Sequence, residues 1–205
     1  MQDRQQTVNE HIYFLGTGVR MIELGKKQKL LVVKTVDFGI YLGEDRNAPQ
    51  NERVLLPSKQ VPEGTKVGDE IEVFIYKDSQ DRLIATTREP MLQVGQTAVL
   101  KVKQVTRIGA FLDWGLEKDL LLPYHEQTNR VREGEECLVA LYVDKSSRLC
   151  ATMKVYHYLS TRTPYVPGDM VKGRVYEISG NFGVFVAVDD KYSALIPARE
   201  ATGKY

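Results

Sequence analysis

The hexapeptide DFGIYL at residues 37–42 recurs as RIGAFL at 107–112 and as NFGVFV at 181–186. Each copy reads as a β-strand, rich in branched and aromatic residues with a glycine inside the run. Side chains alternate across a strand, so Ile40 and Leu42, Ala110 and Leu112, and Val184 and Val186 point one way, into a core. Tyr41, Phe111 and Phe185 point the other way, at the same place in each copy. A second aromatic precedes the glycine in two copies, Phe38 and Phe182, with Ile108 in the remaining one. It lies three positions from the first ring, and strict alternation sends it to the opposite face. A bulge at Gly39, Gly109 or Gly183 is expected to bring both rings together, because strand glycines often mark bulges.

The flanking sequence repeats in the same frame. Gly25, Gly95 and Gly168 each open a strand, 70 and 73 residues apart, and an apolar run ending in proline follows each hexapeptide: VLLP (54–57), LLLP (120–123) and ALIP (194–197). From Pro57 to Gly68 is eleven residues, and so is Pro123 to Gly134. Thereafter VGDEIEVFIYKDSQDRLIATT (67–87) aligns without a gap with EGEECLVALYVDKSSRLCATM (133–153). YKDSQDRL and YVDKSSRL read as polar hairpin turns between strands, and SKQV and YHEQ after the prolines as single helical turns. The pattern predicts an all-β chain of tandem small five-stranded OB-type Greek-key barrels, the third one incomplete. An SH3-like barrel satisfies the same pattern.

The expected boundaries are 21–88 for the first barrel, 92–156 for the second and 165–205 for the third, with 1–20 as an N-terminal extension given no functional weight. Linkers fall at TREPML (87–92) and YLSTRTPYVPGD (158–169), the latter stiffened by Pro164 and Pro167. The third copy ends after ALIPAREATGKY without counterparts of the last two strands, which leaves unpaired edges. The chain is therefore expected to be a fragment of a longer protein.

The composition, 42% hydrophobic and 27% charged over 205 residues, is ordinary for a globular protein. No run approaches the roughly 18–20 apolar residues of a membrane span, and no basic start leads into an apolar signal region. A cytoplasmic protein without a membrane partner is expected. With 28 basic and 27 acidic residues the net charge is +1, so phosphate binding has to rest on local patches. Cys137 and Cys150 lie out of register on the predicted hairpin and read as reduced core thiols. His11, His125 and His157 fall in the N-terminal tail, a post-strand turn beside Tyr124 and a linker, without metal-ligand spacing. No phosphate-cradling GxxxxGK[ST] run and no catalytic constellation is present. A non-enzyme with no cofactor and no metal site is expected.

Exposed aromatics on a barrel strand suit single-stranded nucleic acid, where each base stack is worth roughly 1–3 kcal/mol without demanding a sequence. For any single ring, the alternative is packing against a loop or a neighbouring repeat. Arg82 and Arg148, each four residues after Asp78 and Asp144, are candidates to contact phosphate or stack on a base, and the two Asp to accept from a base edge. Lys34, Lys103, Lys172 and Arg174, placed on first strands, are weaker candidates.

Together, DFGIYL, VLLPSKQV and VGDEIEVFIYKDSQDRLIATT resemble the S1 domain, an OB-fold RNA-binding repeat. Its signature is an aromatic-Gly-x-aromatic strand, an apolar GLLH-like strand and a finish of the form VGD…V…D…GR. The tandem arrangement over 21–205 resembles the conserved virulence factor B family of bacteria, RNA-binding regulators with several such repeats and a C-terminal winged-helix domain. The resemblance implies a single-stranded RNA partner, regulation of gene expression at the RNA level, and RNA-facing Phe38, Tyr41, Phe111, Phe182 and Phe185. It places the Asp and Arg of the signature at Asp78/Arg82 and Asp144/Arg148. Three features depart from it: Ile108 replaces an aromatic, Pro57, Pro123 and Pro197 replace the usual histidine, and the winged helix and the end of the third repeat are absent; RNAPQNE (46–52) is in addition an insertion expected to lengthen a rim loop. The alternative is a protein-interaction scaffold on the translation or RNA-decay machinery, with Tyr41, Phe111 and Phe185 docking ribosomal or RNA-decay proteins. A single-stranded DNA or oligosaccharide binder is a third reading.

Overall fold

The computed structural model describes residues 22–201. The extension at 1–20, His11 and the last residues of the third repeat, 202–205, lie outside the described residues. Strands β1 (Lys27–Val36), β2 (Gly39–Gly43), β3 (Val54–Pro57), β4 (Glu70–Lys77) and β5 (Leu83–Thr86) close a barrel in the order β1-β2-β3-β5-β4. Its one parallel pair, β3 with β5, sets Leu55 opposite Ile84. Strands β6 (Thr97–Val105), β7 (Gly109–Asp113), β8 (Leu120–Pro123), β9 (Glu136–Val143) and β10 (Leu149–Thr152) repeat that order, with Cys150 opposite Leu121. This is the OB-type arrangement, and closure leaves no free edge in either barrel. The third copy supplies β11 (Gly173–Ser179), β12 (Gly183–Val188) and β13 (Tyr192–Pro197), an antiparallel three-stranded sheet. The expected helical turns are 3₁₀ turns, Ser58–Gln60 and Tyr124–Glu126.

Alternation holds on the inner faces: Ile40, Leu42, Ala110, Leu112 and Val184 are buried. Val186 is only half-buried, because its face is covered by three strands rather than five. The bulges lie elsewhere than expected. Register slips between Val32 and Lys34, Val102 and Gln104, and Val175 and Glu177, on the first strand of each repeat. The hexapeptide glycines have a different task. Gly39 and Gly109 take φ of 152° and 151°, and a Cβ would sit 2.2 Å from the Leu56 carbonyl oxygen and 2.3 Å from that of Leu122. Phe38, Ile108 and Phe182 precede β2, β7 and β12 and lie in the turns, so strand alternation does not govern them.

The segments read as linkers are packed. Leu92 is buried, and the Met91 N–H donates to the Trp114 carbonyl at 2.9 Å. Phe74 and Tyr76, on the outer face of β4, share one apolar cluster with Leu92, Trp114 and Leu141 of the second barrel. The Phe74 and Trp114 rings meet edge to face at 5.7 Å. Val94 N–H donates to the Gly25 carbonyl at 2.9 Å, and Lys27 N–H to Gln93 Oε1 at 2.8 Å. The second expected linker begins inside a 3₁₀ turn, Val155–Tyr158, and continues into a bridge between Ser160 and Tyr192. Ala187 packs with Leu138 and Ala140 of β9 and with Leu159. The aromatic-bearing face of the third sheet is thus an interface with barrel two.

Gly109→Ala combines a positive φ with a backbone clash, and each such strain costs about 1–3 kcal/mol. Its urea midpoint should fall well below that of the wild type. Gly134→Ala, at φ 85° but with nothing within 4 Å of the added Cβ, should lose less.

Candidate nucleic-acid interface

Residues directly opposite on adjacent strands share a face, and this rule assembles a row across each barrel. In barrel one, Lys34 pairs with Tyr41, Tyr41 with Leu55, Leu55 with Ile84, and Ile84 with Tyr76. In barrel two the row is Gln104, Phe111, Leu121, Cys150 and Tyr142. In the third sheet it is Glu177, Phe185 and Leu195. The aromatic of each hexapeptide occupies the second place, but the residue before it is cationic, neutral and anionic in turn.

Two clefts lie along these rows. The first, of 480 Å³, is lined by Phe38, Tyr41, Arg53, Leu55, Asp78, Arg82, Leu83 and Ile84. Phe38 and Tyr41 stand edge to face at 6.4 Å, so the turn achieves what a glycine bulge was expected to do. The second, of 180 Å³, brings Ile108, Phe111, Leu121, Arg148 and Cys150 together with Tyr76, Lys77 and Asp81 of barrel one. Phe38 and Ile108, which line the two clefts, are 57% and 60% exposed, and Phe182, which lines neither, is 65% exposed.

The hairpin arginines are held in place. Asp78 Oδ1 accepts from the N–H groups of Gln80 and Arg82 at 2.8 and 3.0 Å, and Oδ2 from Arg82 Nε and Nη2 at 2.9 and 2.8 Å. Asp144 does the same with Ser146, at 2.8 Å, and with Arg148, at 2.9, 3.2 and 3.1 Å. Asp81 and Ser147 take the left-handed conformation that tightens each turn, with φ of 59° and 55°. Both carboxylates are therefore engaged in shaping the hairpin and aiming the guanidinium. Burial works against their ionisation, but the hydrogen bonds outweigh it and hold both below the usual carboxylate range.

The weaker candidates are not equivalent to one another. Lys34 is exposed beside Tyr41. Lys103 occupies the bulge and pairs with Asp119 at 2.8 Å. Lys172 falls one residue before β11 rather than on it, and Arg174 pairs with Asp190 at 3.0 Å. In the third repeat Phe185 meets Tyr156 at 6.0 Å and Tyr176 at 6.1 Å, while Phe182 projects to solvent. Tyr124 donates to the Thr106 carbonyl at 2.6 Å beneath the Arg130 guanidinium, and His125 is exposed.

Sequence reasoning missed Arg53. It sits just after the 46–52 insertion, its Nε donating to the Ala48 carbonyl at 2.7 Å. Its counterpart one residue before β8 is Asp119, so the insertion accompanies a reversal of charge at the cleft rim. Cys137 and Cys150 are buried free thiols, and burial pushes both up to about 11. Among the described residues no three His, Cys, Asp or Glu side chains group as metal ligands, and no helix is long and apolar enough to cross a membrane.

Tandem OB barrels with a repeated outward aromatic and a hairpin arginine define a class, that of S1-type repeat proteins. The S1 domain family model matches residues 24–88 and 94–154, and the chain belongs to that family, as a tandem S1 protein similar to conserved virulence factor B. It is similar to the uncharacterized protein YitL of Bacillus subtilis, 30% identical over 188 residues, 86% of this chain and 60% of that protein. Conserved virulence factor B of Staphylococcus saprophyticus is 27% identical over 112 residues, 51% of this chain and 37% of that protein. For the Staphylococcus aureus N315 protein of the same name the figures are 26% over 136 residues, 63% and 45%. The chain thus spans 60% of the first relative and under half of the others. A solved multidomain protein with nucleic acid binding domains from Streptococcus pneumoniae TIGR4 shares the fold. Its TM-score is 0.55 at 20% identity, over 82% of this chain and 60% of that one.

The lowered carboxylates carry a sign. Their stabilisation is present above the unfolded value near 3.9 and is lost as pH falls through the lower folded values. In urea unfolding from about pH 5 down to about pH 2, Asp78→Asn/Asp144→Asn should lose less of its midpoint than the wild type.

Proposed function

We propose that this chain is a non-enzymatic, cytoplasmic single-stranded RNA-binding protein that acts as a regulator at the RNA level. The observation that carries this reading is the repeated outward row, with Tyr41 and Phe111 at equivalent places and Arg82 and Arg148 oriented beside them. Bases stack on Tyr41 and Phe111, with Phe38 as a second ring in barrel one and Ile108 a weaker apolar counterpart. Arg82, Arg148 and Lys34 meet phosphates, with Lys103, Lys172 and Arg174 at the margins. Asp78 and Asp144 act by fixing their arginines. Phe182 offers an exposed ring in repeat three, where Phe185 is shared with the Tyr156 and Tyr176 contacts. Ribosomal or RNA-decay proteins are partners of second rank.

Fluorescence anisotropy with labelled single-stranded RNA and DNA of equal length, at several salt concentrations, tests the reading. Tyr41→Ala and Phe111→Ala should each weaken RNA binding by about 5- to 150-fold, the equivalent of roughly 1–3 kcal/mol per stack, with folding unchanged. The near-neutral charge predicts a shallow salt dependence. Absence of binding to RNA, or ring variants that bind like wild type, overturns the reading in favour of protein docking.

A further inference from the structure

The two clefts are not separate sites on separate beads. The β4–β5 hairpin of barrel one divides them: Asp78, Arg82, Leu83 and Ile84 line the first cleft, while Tyr76, Lys77 and Asp81 line the second. The outward row of barrel one, which starts at Lys34 and Tyr41, ends at Tyr76, inside the cleft of barrel two. Lys118 of barrel two closes the wall, its Nζ donating to the Asp78 carbonyl at 2.8 Å and lying 3.9 Å from the Asp81 carboxylate. The charged residues at the crossing are Lys77, Lys118 and Arg148 against Asp81 and Asp119, a positive balance. Lys103 pairs with Asp119, Asp144 with Arg148 and Asp81 with Lys118, so the excess positive charge rests on Lys77. The shared core around Phe74 and Trp114 sets the spacing of the clefts.

We propose that this inter-barrel cleft is a crossing subsite, which carries one continuous RNA strand from the face of barrel one onto that of barrel two. The inference rests on the RNA-binding reading and adds to it. Lys77 and Lys118 hold the backbone phosphates that pass over the hairpin, and Tyr76 and Phe111 floor the crossing with apolar surface. Because docking fixes the separation, the second barrel engages without the entropy loss of a flexible tether. Two barrels on a slack linker would instead each bind a short strand with little coupling.

The test uses oligouridylates of about 4 and about 12 nucleotides, a range bracketing one and two OB footprints. Calorimetry on the full chain should give one 12-mer per protein, bound at least 100-fold more tightly than the 4-mer. Lys77→Ala/Lys118→Ala should lower 12-mer affinity about tenfold and 4-mer affinity, which barrel one supplies from its own cleft, by much less. A 12-mer with uncharged methylphosphonate linkages at its centre should lose the same factor on the wild-type protein, which requires no variant to fold. If the 12-mer binds no better than the 4-mer, or the central linkages do not matter, the crossing subsite is wrong and RNA binding by separate barrels stands. If neither oligonucleotide binds, the RNA-binding reading itself falls.

Discussion

The structure depends on the fourth strand of each barrel being buried on both faces. In β4, Val73 and Ile75 point into the first core, while Phe74 and Tyr76 point out of it and into the cluster around Trp114. In β9, Val139 and Leu141 fill the second core, and Leu138 and Ala140 receive Ala187 of the third sheet. A solvated outer face would strand two aromatic rings in water, and burying each is worth on the order of 1.5–3 kcal/mol. Docking of the next repeat is the way the chain covers them. Gly25 is part of the same constraint, since its φ of 77° and a hypothetical Cβ 2.3 Å from Val94 Cγ2 leave no room for a side chain at the seam.

A second constraint works at the other side of each barrel. In both barrels the first strand has to curve sharply to pair with the second along its end and with the fourth along its start, and the bulges at Val33 and Lys103 supply that bend; β11 carries the same bulge at Tyr176. The bend presses the hexapeptide glycine against the proline-terminated strand, close enough to exclude a Cβ. The same tight approach keeps the preceding residue out of the ladder. Phe38 is thereby free to stand over Tyr41 at 6.4 Å, two rings from one short turn on one side of the barrel.

Much of this was legible in the sequence. Alternation within DFGIYL and RIGAFL located the outward rings, and equal spacing of Asp and Arg located both hairpins. The bulges were not legible, because the slip depends on which of two paired strands carries the extra residue, and composition marks neither. Nor was the surrounding of Phe185, since NFGVFV matches the other copies while Tyr156 and Tyr176 arrive from outside it. The docking left a trace that alternation alone passes over. VFIY (73–76) and CLVAL (137–141) are unbroken apolar runs, and such runs belong to strands covered on both sides. Arg53 was hidden by the insertion, which displaced the frame in which a cleft-lining residue would have been sought.

The three rows share geometry but differ in the charge that flanks the ring. Lys34, Gln104 and Glu177 sit opposite Tyr41, Phe111 and Phe185, and Arg53 at the first rim becomes Asp119 at the second. Local potential therefore falls from the first repeat to the third, although the whole chain is nearly neutral. On the RNA-binding reading, the first repeat is the strongest phosphate-holding station and the second a weaker one reached across the hairpin. The third repeat has an acidic flank, and its ring is already in contact with barrel two. On that reading the recurring strand motif is a ligand platform where its neighbours are solvent and cations, while in the third repeat its ring packs among tyrosines beside a carboxylate.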